Sequence, residues 1–162
     1  MGDHTIRLVE PSDLSELLPL MRSYCDFYGV APRDEELMEL SRALIANPEG
    51  EGLQLVARSN ADEGAAIGFA TVFWNWSTLS ASRIAVMNDL FVAEEARGSG
   101  LADALILACV ERCRERGDVT SLQWQTAKDN VRAQAVYERA GAEREEWLDY
   151  SLEVGGPPHD AR

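Results

Sequence analysis

The sequence predicts a mixed α/β domain, one sheet carrying helices on both faces. Short alternating or β-branched runs read as strands, and apolar residues recurring every three or four positions read as helices. Their order, β-αα-βββ-α-β-α-β, differs from the regular βαβαβ of a doubly wound sheet. A chain of 162 residues is most simply one domain, able to bury about two-thirds of the surface that it exposes when unfolded. That domain is expected over residues 1–154, with "GGPPHDAR" from Gly155 onward as a disordered tail.

"TIRLVE" alternates like a strand. "PSD" then opens a helix with Ser12 as its expected cap, and Leu14, Leu17, Leu18, Met21 and Cys25 share one face. A second helix follows Pro32 through "DEELMELSRALIAN", to end near Asn47 and Pro48. "LQLVAR" and "AIGFATVFW", separated by the turn residues "SNADEG", read as a hairpin. "RIAVMNDLFV" has the composition of a buried strand. A helix from about Gly100 to Arg116, a strand "VTSLQWQT" and a short helix "NVRAQAVYERAG" follow. The last strand is expected in "EEWLDYSLEV", with Leu148, Tyr150, Leu152 and Val154 on one face.

With 28 acids against 15 bases the net charge is −13, which argues against nucleic acid or anionic lipid as a partner and suits a cationic one. No apolar run approaches the roughly 18 residues that span a bilayer, and the amino terminus lacks the basic start and apolar core of a signal peptide. A cytoplasmic protein is expected. Cys25, Cys109 and Cys113 are odd in number and form no C-x-x-C pair, so they read as packed thiols. His4 and His159 fall in expected frayed ends, which disfavours a histidine-based triad or zinc site. No metal is implied.

"EEARGSGLADALI" places Arg97, Gly98 and Gly100 where a strand turns into a helix. The first amides of a helix lack partners within it and carry partial positive charge, so such a turn can hold an anion. An ordinary capping turn is the other reading. Asp103 stands where a dinucleotide fingerprint needs its third glycine, and no Gly-Lys-Ser/Thr of a nucleotide-triphosphate loop follows.

"NDLFVAEEARGSGLADALI" resembles motif A of the GCN5-related N-acetyltransferase (GNAT) superfamily, Arg/Gln-x-x-Gly-x-Gly/Ala, as Arg97-Gly98-Ser99-Gly100-Leu101-Ala102. "NVRAQAVYERAGA" is similar to that family's Asn-x-x-Ala-x-x-x-Tyr-x-x-x-Gly segment, as Asn130, Ala133, Tyr137 and Gly141. "TIRLVEPSDLSELLPLM" resembles its usual opening, and the likeness spans residues 5 to 154. "MNDLFV", "LQWQT" and "DNVRAQAVYERAG" look most like the branch that acetylates polyamines, other small amines or basic protein tails.

The resemblance implies a sheet of six to seven strands with about four helices, acetyl-CoA as donor, a homodimer, and an amine attacking the bound thioester directly. Arg97 and the main chain from Gly98 through Ser99, Gly100 and Leu101 to Ala102 would hold the pyrophosphate. Leu90, Phe91 and Val92 would carry the pantetheine arm, with Asn130 and Ala133 beside the cofactor. Tyr137 would give a proton to the leaving thiolate; a phenol of pKa near 10 suits a thiolate of about 8.5 to 9. The family places a bulge in the "DLFV" strand. Where its polyamine branch often has a glutamate proposed as base, this chain has Asn88, which cannot take a proton. Asp89, or Asp26 or Glu35 through water, remain as candidates. Tyr24, Asp26 and Tyr28 in "YCDFYG", with Asn88, would line the acceptor pocket and offer aromatic faces and a counter-ion to a cationic acceptor, the other reading of that stretch being plain helix packing with an exposed acid. Trp74 and Trp76 share a strand face and either wall that pocket or pack in a dimer interface, while Trp124 is expected in the sheet core. Two other readings stand beside the enzyme: an acyl-CoA sensor without turnover, and an acidic adaptor for a basic partner.

Overall fold

The computed structural model describes residues 3–61 and 64–156. Five strands form one sheet in chain order: β1 (His4–Leu8), β2 (Gly52–Ser59), β3 (Ala66–Ser77), β4 (Ser82–Val92) and β5 (Val119–Gln123). The first four pair antiparallel, and β5 joins β4 in parallel. Helices α1 (Leu14–Phe27) and α2 (Asp34–Ala46) cover one face. On the other face lie α3 (Leu101–Arg116) and α4 (Val131–Arg139).

Strand alternation divides the core in two. Val56 and Phe69 face α1 and α2, where Leu14, Leu17, Met21, Cys25 and Leu37 bury against them. Leu55, Ala57, Ala70 and Val72 face α3, where Leu101, Leu105, Ile106 and Cys109 meet them. The apolar stripe of α1 is the one read from the sequence, and α2 ends at Ala46, as its Asn-Pro stop predicts.

Four expectations need correction. Ser12 does not cap α1: it sits inside a short 3-10 turn (Pro11–Asp13), and Asp13 precedes the helix. The Asp13 carboxylate is turned inward, accepting from Arg7 at 2.6 and 2.7 Å, from Arg58 at 2.5 Å and from the Glu10 amide at 2.8 Å. His4 is not frayed, since it opens β1 opposite Ser59; His159 lies outside the described residues. Residues 142–156 form no strand, so the sheet has five strands rather than six to seven. Leu148, Tyr150, Leu152 and Val154 are 73–94% exposed. Alternation makes a segment able to pair, but it does not make a ladder: this segment forms none, and meets the chain just past β5 through Gln125 Nε2, which donates to Asp149 Oδ1 at 2.6 Å. Of the expected tail 155–162, residues beyond 156 lie outside the described ones. No helix among the described residues is long and apolar enough to cross a membrane.

Candidate active site

The site begins with a count mismatch between β3 and β4. Thr71 faces Asp89 and Val72 faces Met87, which leaves Asn88 as an extra, unpaired residue: a β-bulge. Met87 therefore packs toward α3 while Asp89, two residues on, points toward α1. In a regular strand they would share a face. Leu90 and Val92 return to the α3 side, and Phe91 stacks over Phe69 on the α1 side with ring centres 6.0 Å apart.

Beyond the bulge β4 loses its parallel neighbour. The β4–β5 ladder runs only from Arg83 to Val86, and Trp124 to Thr126 have left the strand. The Ala93 amide donates to the Ile67 carbonyl at 2.9 Å. Alternation along an antiparallel ladder then turns the main-chain groups of Leu90 and Val92 outward, to the open edge. The Val92 carbonyl confirms it by accepting from Arg97 Nε at 3.1 Å.

At the end of that edge, Gly98 and Gly100 take left-handed backbone (φ 80° and 83°), where a side chain is strained. A Cβ placed on either would meet nothing within 4 Å, so the space over this main chain is open. Ser99 Oγ ties the turn to the Ala96 carbonyl at 2.7 Å. Gly100 caps α3, whose first amides, Leu101 and Ala102 among them, face this space; Leu101 anchors the turn by burying its side chain. Asp103 in that first turn is bridged to Arg139 of α4 at 2.7 Å.

Across the open edge, Asn130 caps α4 by accepting from the Ala133 amide at 3.2 Å, which sets the half-buried Ala133 and Tyr137 on one face. Tyr137 rests edge-on against Trp124, ring centres 5.3 Å apart. Burial first, then the nearby Tyr28 phenol, push its pKa above the ordinary value, and Thr126 opposes them. Its phenol thus holds its proton firmly.

On the α1 side, Asp89 is 8% exposed and burial raises its carboxyl above the usual range, against contacts with Thr71, Tyr24 and Asn88. Asn88 Nδ2 donates to its Oδ1 at 2.9 Å. The Tyr24 hydroxyl donates to the bulged Asn88 carbonyl at 3.2 Å. Burial, then Asp89, raise the Tyr24 pKa, so it too stays protonated. Tyr28 meets Tyr24 edge-on, ring centres 5.1 Å apart. Between α1, α2 and the sheet lies a cavity of about 180 Å³, with Asn88 and Asp89 at its polar end.

An open strand edge, a left-handed glycine turn on a helix N-terminus and the half-buried Tyr137 phenol thus follow one another along the chain. The sequence profile of the Acetyltransferase (GNAT) family matches residues 17–142. The chain belongs to that GNAT acetyltransferase family. It is 31% identical over 150 residues to the uncharacterized N-acetyltransferase YhfO of Bacillus subtilis, covering 92% of this chain and 97% of YhfO. To the D-amino-acid N-acetyltransferase HPA3 of Saccharomyces cerevisiae it is 32% identical over 132 residues, 82% and 80% of the two chains. A crystal structure of a probable acetyltransferase superposes with a TM-score of 0.77 at 30% identity, covering 94% and 99% of the chains.

The protein is accordingly an acetyl-CoA-dependent N-acetyltransferase. Its residues fit the donor: the open cradle over Gly98 and Gly100 admits a pyrophosphate, and the free edge at Leu90 and Val92 admits an amide-bearing arm. The acetyltransferase does not bring every expected residue to this place. Trp74 faces α3, 9% exposed, its indole N–H donating to the Pro48 carbonyl at 2.7 Å and Arg116 stacked on its ring. Trp76 is exposed under Arg83. Asp26 is exposed and outside the cavity lining, and Glu35 is bridged to Arg42 at 2.7 Å on the surface of α2. Cys25, Cys109 and Cys113 are buried; burial pushes the Cys109 thiol up to about 12 and Cys113 to about 11, so neither offers a nucleophile.

Two residues of the site escaped the sequence reading. Gln54 of β2, Thr71 of β3 and Asp89 of β4 are consecutive partners across three strands, all buried. Gln54 Nε2 donates to Thr71 Oγ1 at 3.1 Å. A glutamine inside the apolar run "LQLVA" was the available signal.

Proposed function

We propose that the enzyme acetylates the primary amine of a small cationic molecule of the polyamine kind, or of a basic peptide, with Tyr137 as general acid. The observation that carries this reading is the β4 bulge, which turns the buried Asp89 carboxylate toward α1 just where β4 loses its parallel neighbour, with the half-buried Tyr137 held against Trp124 beyond the end of β5. Acetyl-CoA supplies the acetyl group as a thioester. Arg97 and the main chain of Gly98 to Ala102 hold the pyrophosphate, while the outward groups of Leu90 and Val92 hold the pantetheine arm. Phe91, Asn130 and Ala133 shape the same channel. Asp89 accepts the ammonium proton, directly or through water, and frees the nitrogen lone pair. Asn88 sets the bulge and orients Asp89, with Tyr24 and Tyr28 above the acceptor. A main-chain N–H at the bulge supports the oxyanion, and the Tyr137 hydroxyl gives its proton to the departing sulfur.

Thiol release across polyamines, aminoglycosides and lysine peptides tests this reading, with Tyr137→Phe in parallel. The variant is expected to lower kcat by about 10²–10⁴-fold, the usual worth of proton transfer, with acetyl-CoA affinity unchanged. An unaltered kcat removes Tyr137 from the mechanism.

A homodimer and a cytoplasmic location belong to the same proposal. The exposed apolar side chains from Trp147 to Val154 support the dimer, since a patch of this kind favours association. Leu152→Lys is expected to yield monomer in light scattering, and a parent chain already monomeric sinks the idea.

A further inference from the structure

The cavity beneath α1 and α2 is chemically one-sided. Its walls are Met21, Cys25, Leu37, Leu40 and Phe69, and its polar end holds a single carboxylate, Asp89, flanked by Tyr24 and Asn88. Among the described residues no basic side chain lines it. At about 180 Å³, it compares with apolar cavities of roughly 150 Å³ that take up benzene.

We propose that this cavity seats the apolar arm of a primary monoamine, arylalkyl or branched alkyl, whose ammonium rests at the Asp89 carboxylate. This rests on the acetyltransferase reading above and sets a monoamine in place of its polyamine acceptor. A second ammonium seated against Met21, Leu37 and Phe69 would find no counter-charge among the lining residues there. A zwitterionic amino acid would set its own carboxylate beside Asp89 with no cation to receive it. An apolar arm meets neither penalty and gains by leaving water. The raised carboxyl of Asp89 agrees: an isolated buried acid ionises more readily once a cation is beside it.

The experiment compares 2-phenylethylamine, spermidine, putrescine and phenylalanine, by thiol release and by calorimetric binding to the protein holding CoA. Expected is a kcat/KM for 2-phenylethylamine at least about tenfold above spermidine, a ratio within reach of apolar pocket contacts. Leu40→Glu, which adds a second carboxylate to the half-buried lining, is expected to weaken 2-phenylethylamine and strengthen putrescine; a merely structural defect would lower both. Spermidine equal to or better than 2-phenylethylamine overturns the proposal, as does 2-phenylethylamine binding that Leu40→Glu leaves unchanged. If no amine is turned over but calorimetry shows 2-phenylethylamine bound and Leu40→Glu abolishes it, the pocket assignment stands and the catalytic reading falls. If 2-phenylethylamine neither binds nor reacts, the pocket assignment falls.

Discussion

At the scale of single residues, two buried aspartates carry opposite burdens. Asp89 is raised by burial, so the folded protein holds its proton more tightly than the unfolded chain does. Stability therefore falls as pH climbs from the ordinary carboxylate value near 4 through the raised one, and at neutral pH the ionised group weakens the fold. Asp89→Asn is expected to raise the unfolding midpoint at pH 7 while lowering kcat/KM by roughly 10²-fold. The parent's kcat/KM should also show an acid limb above the usual carboxylate range, absent in the variant. A limb that survives the substitution belongs to another group. Asp89 could be suspected from its place before "LFV", yet its burial could not, because that depends on Thr71 one strand away and Gln54 two strands away.

At the scale of elements, the bulge decides more than any single side chain. Deleting Asn88 would leave Met87 facing α3 and Asp89 facing α1, since the remaining residues alternate regularly. The shortened chain is expected to fold with near-parent stability. It would lose the displaced carbonyl that Tyr24 holds and the strand bend that accompanies a bulge, so activity should drop by about 10²-fold or more, the scale of an ångström's misplacement. Circular dichroism with thiol release checks both halves; full activity in the deletion removes the bulge from the mechanism. Periodicity alone found all four helices and five strands within a few residues at their ends. A bulge is legible only against its partner strand, which one sequence does not reveal. The failure at 145–154 has the same root: "EEWLDYSLEV" has the alternation of a strand, but nothing in those residues says whether an edge awaits them.

Across the whole molecule, the weight falls on the join between β1, β2 and α1. Asp13, 1% exposed, is held by Arg7 and Arg58, and Arg58 also reaches Glu16 at 3.1 Å. Burial alone would raise its carboxyl, but the two guanidiniums and the Glu10 amide outweigh that and hold it well below the usual range. Its stabilisation is therefore complete above the unfolded value near 4 and is lost as pH falls from there toward the folded one. Asp13→Asn is expected to destabilise the protein by about 3 kcal/mol at pH 7, the low end for a broken buried pair because Arg7 is over a third exposed. The difference from the parent should shrink below pH 4. A constant difference from pH 7 to pH 2 in denaturant titrations would contradict this account.

The three buried thiols have a practical corollary. Each cysteine is enclosed in the folded chain, and burial raises all three above the ordinary thiol value. A disulfide dye that reports released CoA should therefore find the native enzyme nearly silent. Every molecule that unfolds would add three equivalents of colour, so the reagent that counts turnovers also counts lost enzyme, and a slow late drift in the signal would measure opening of the fold.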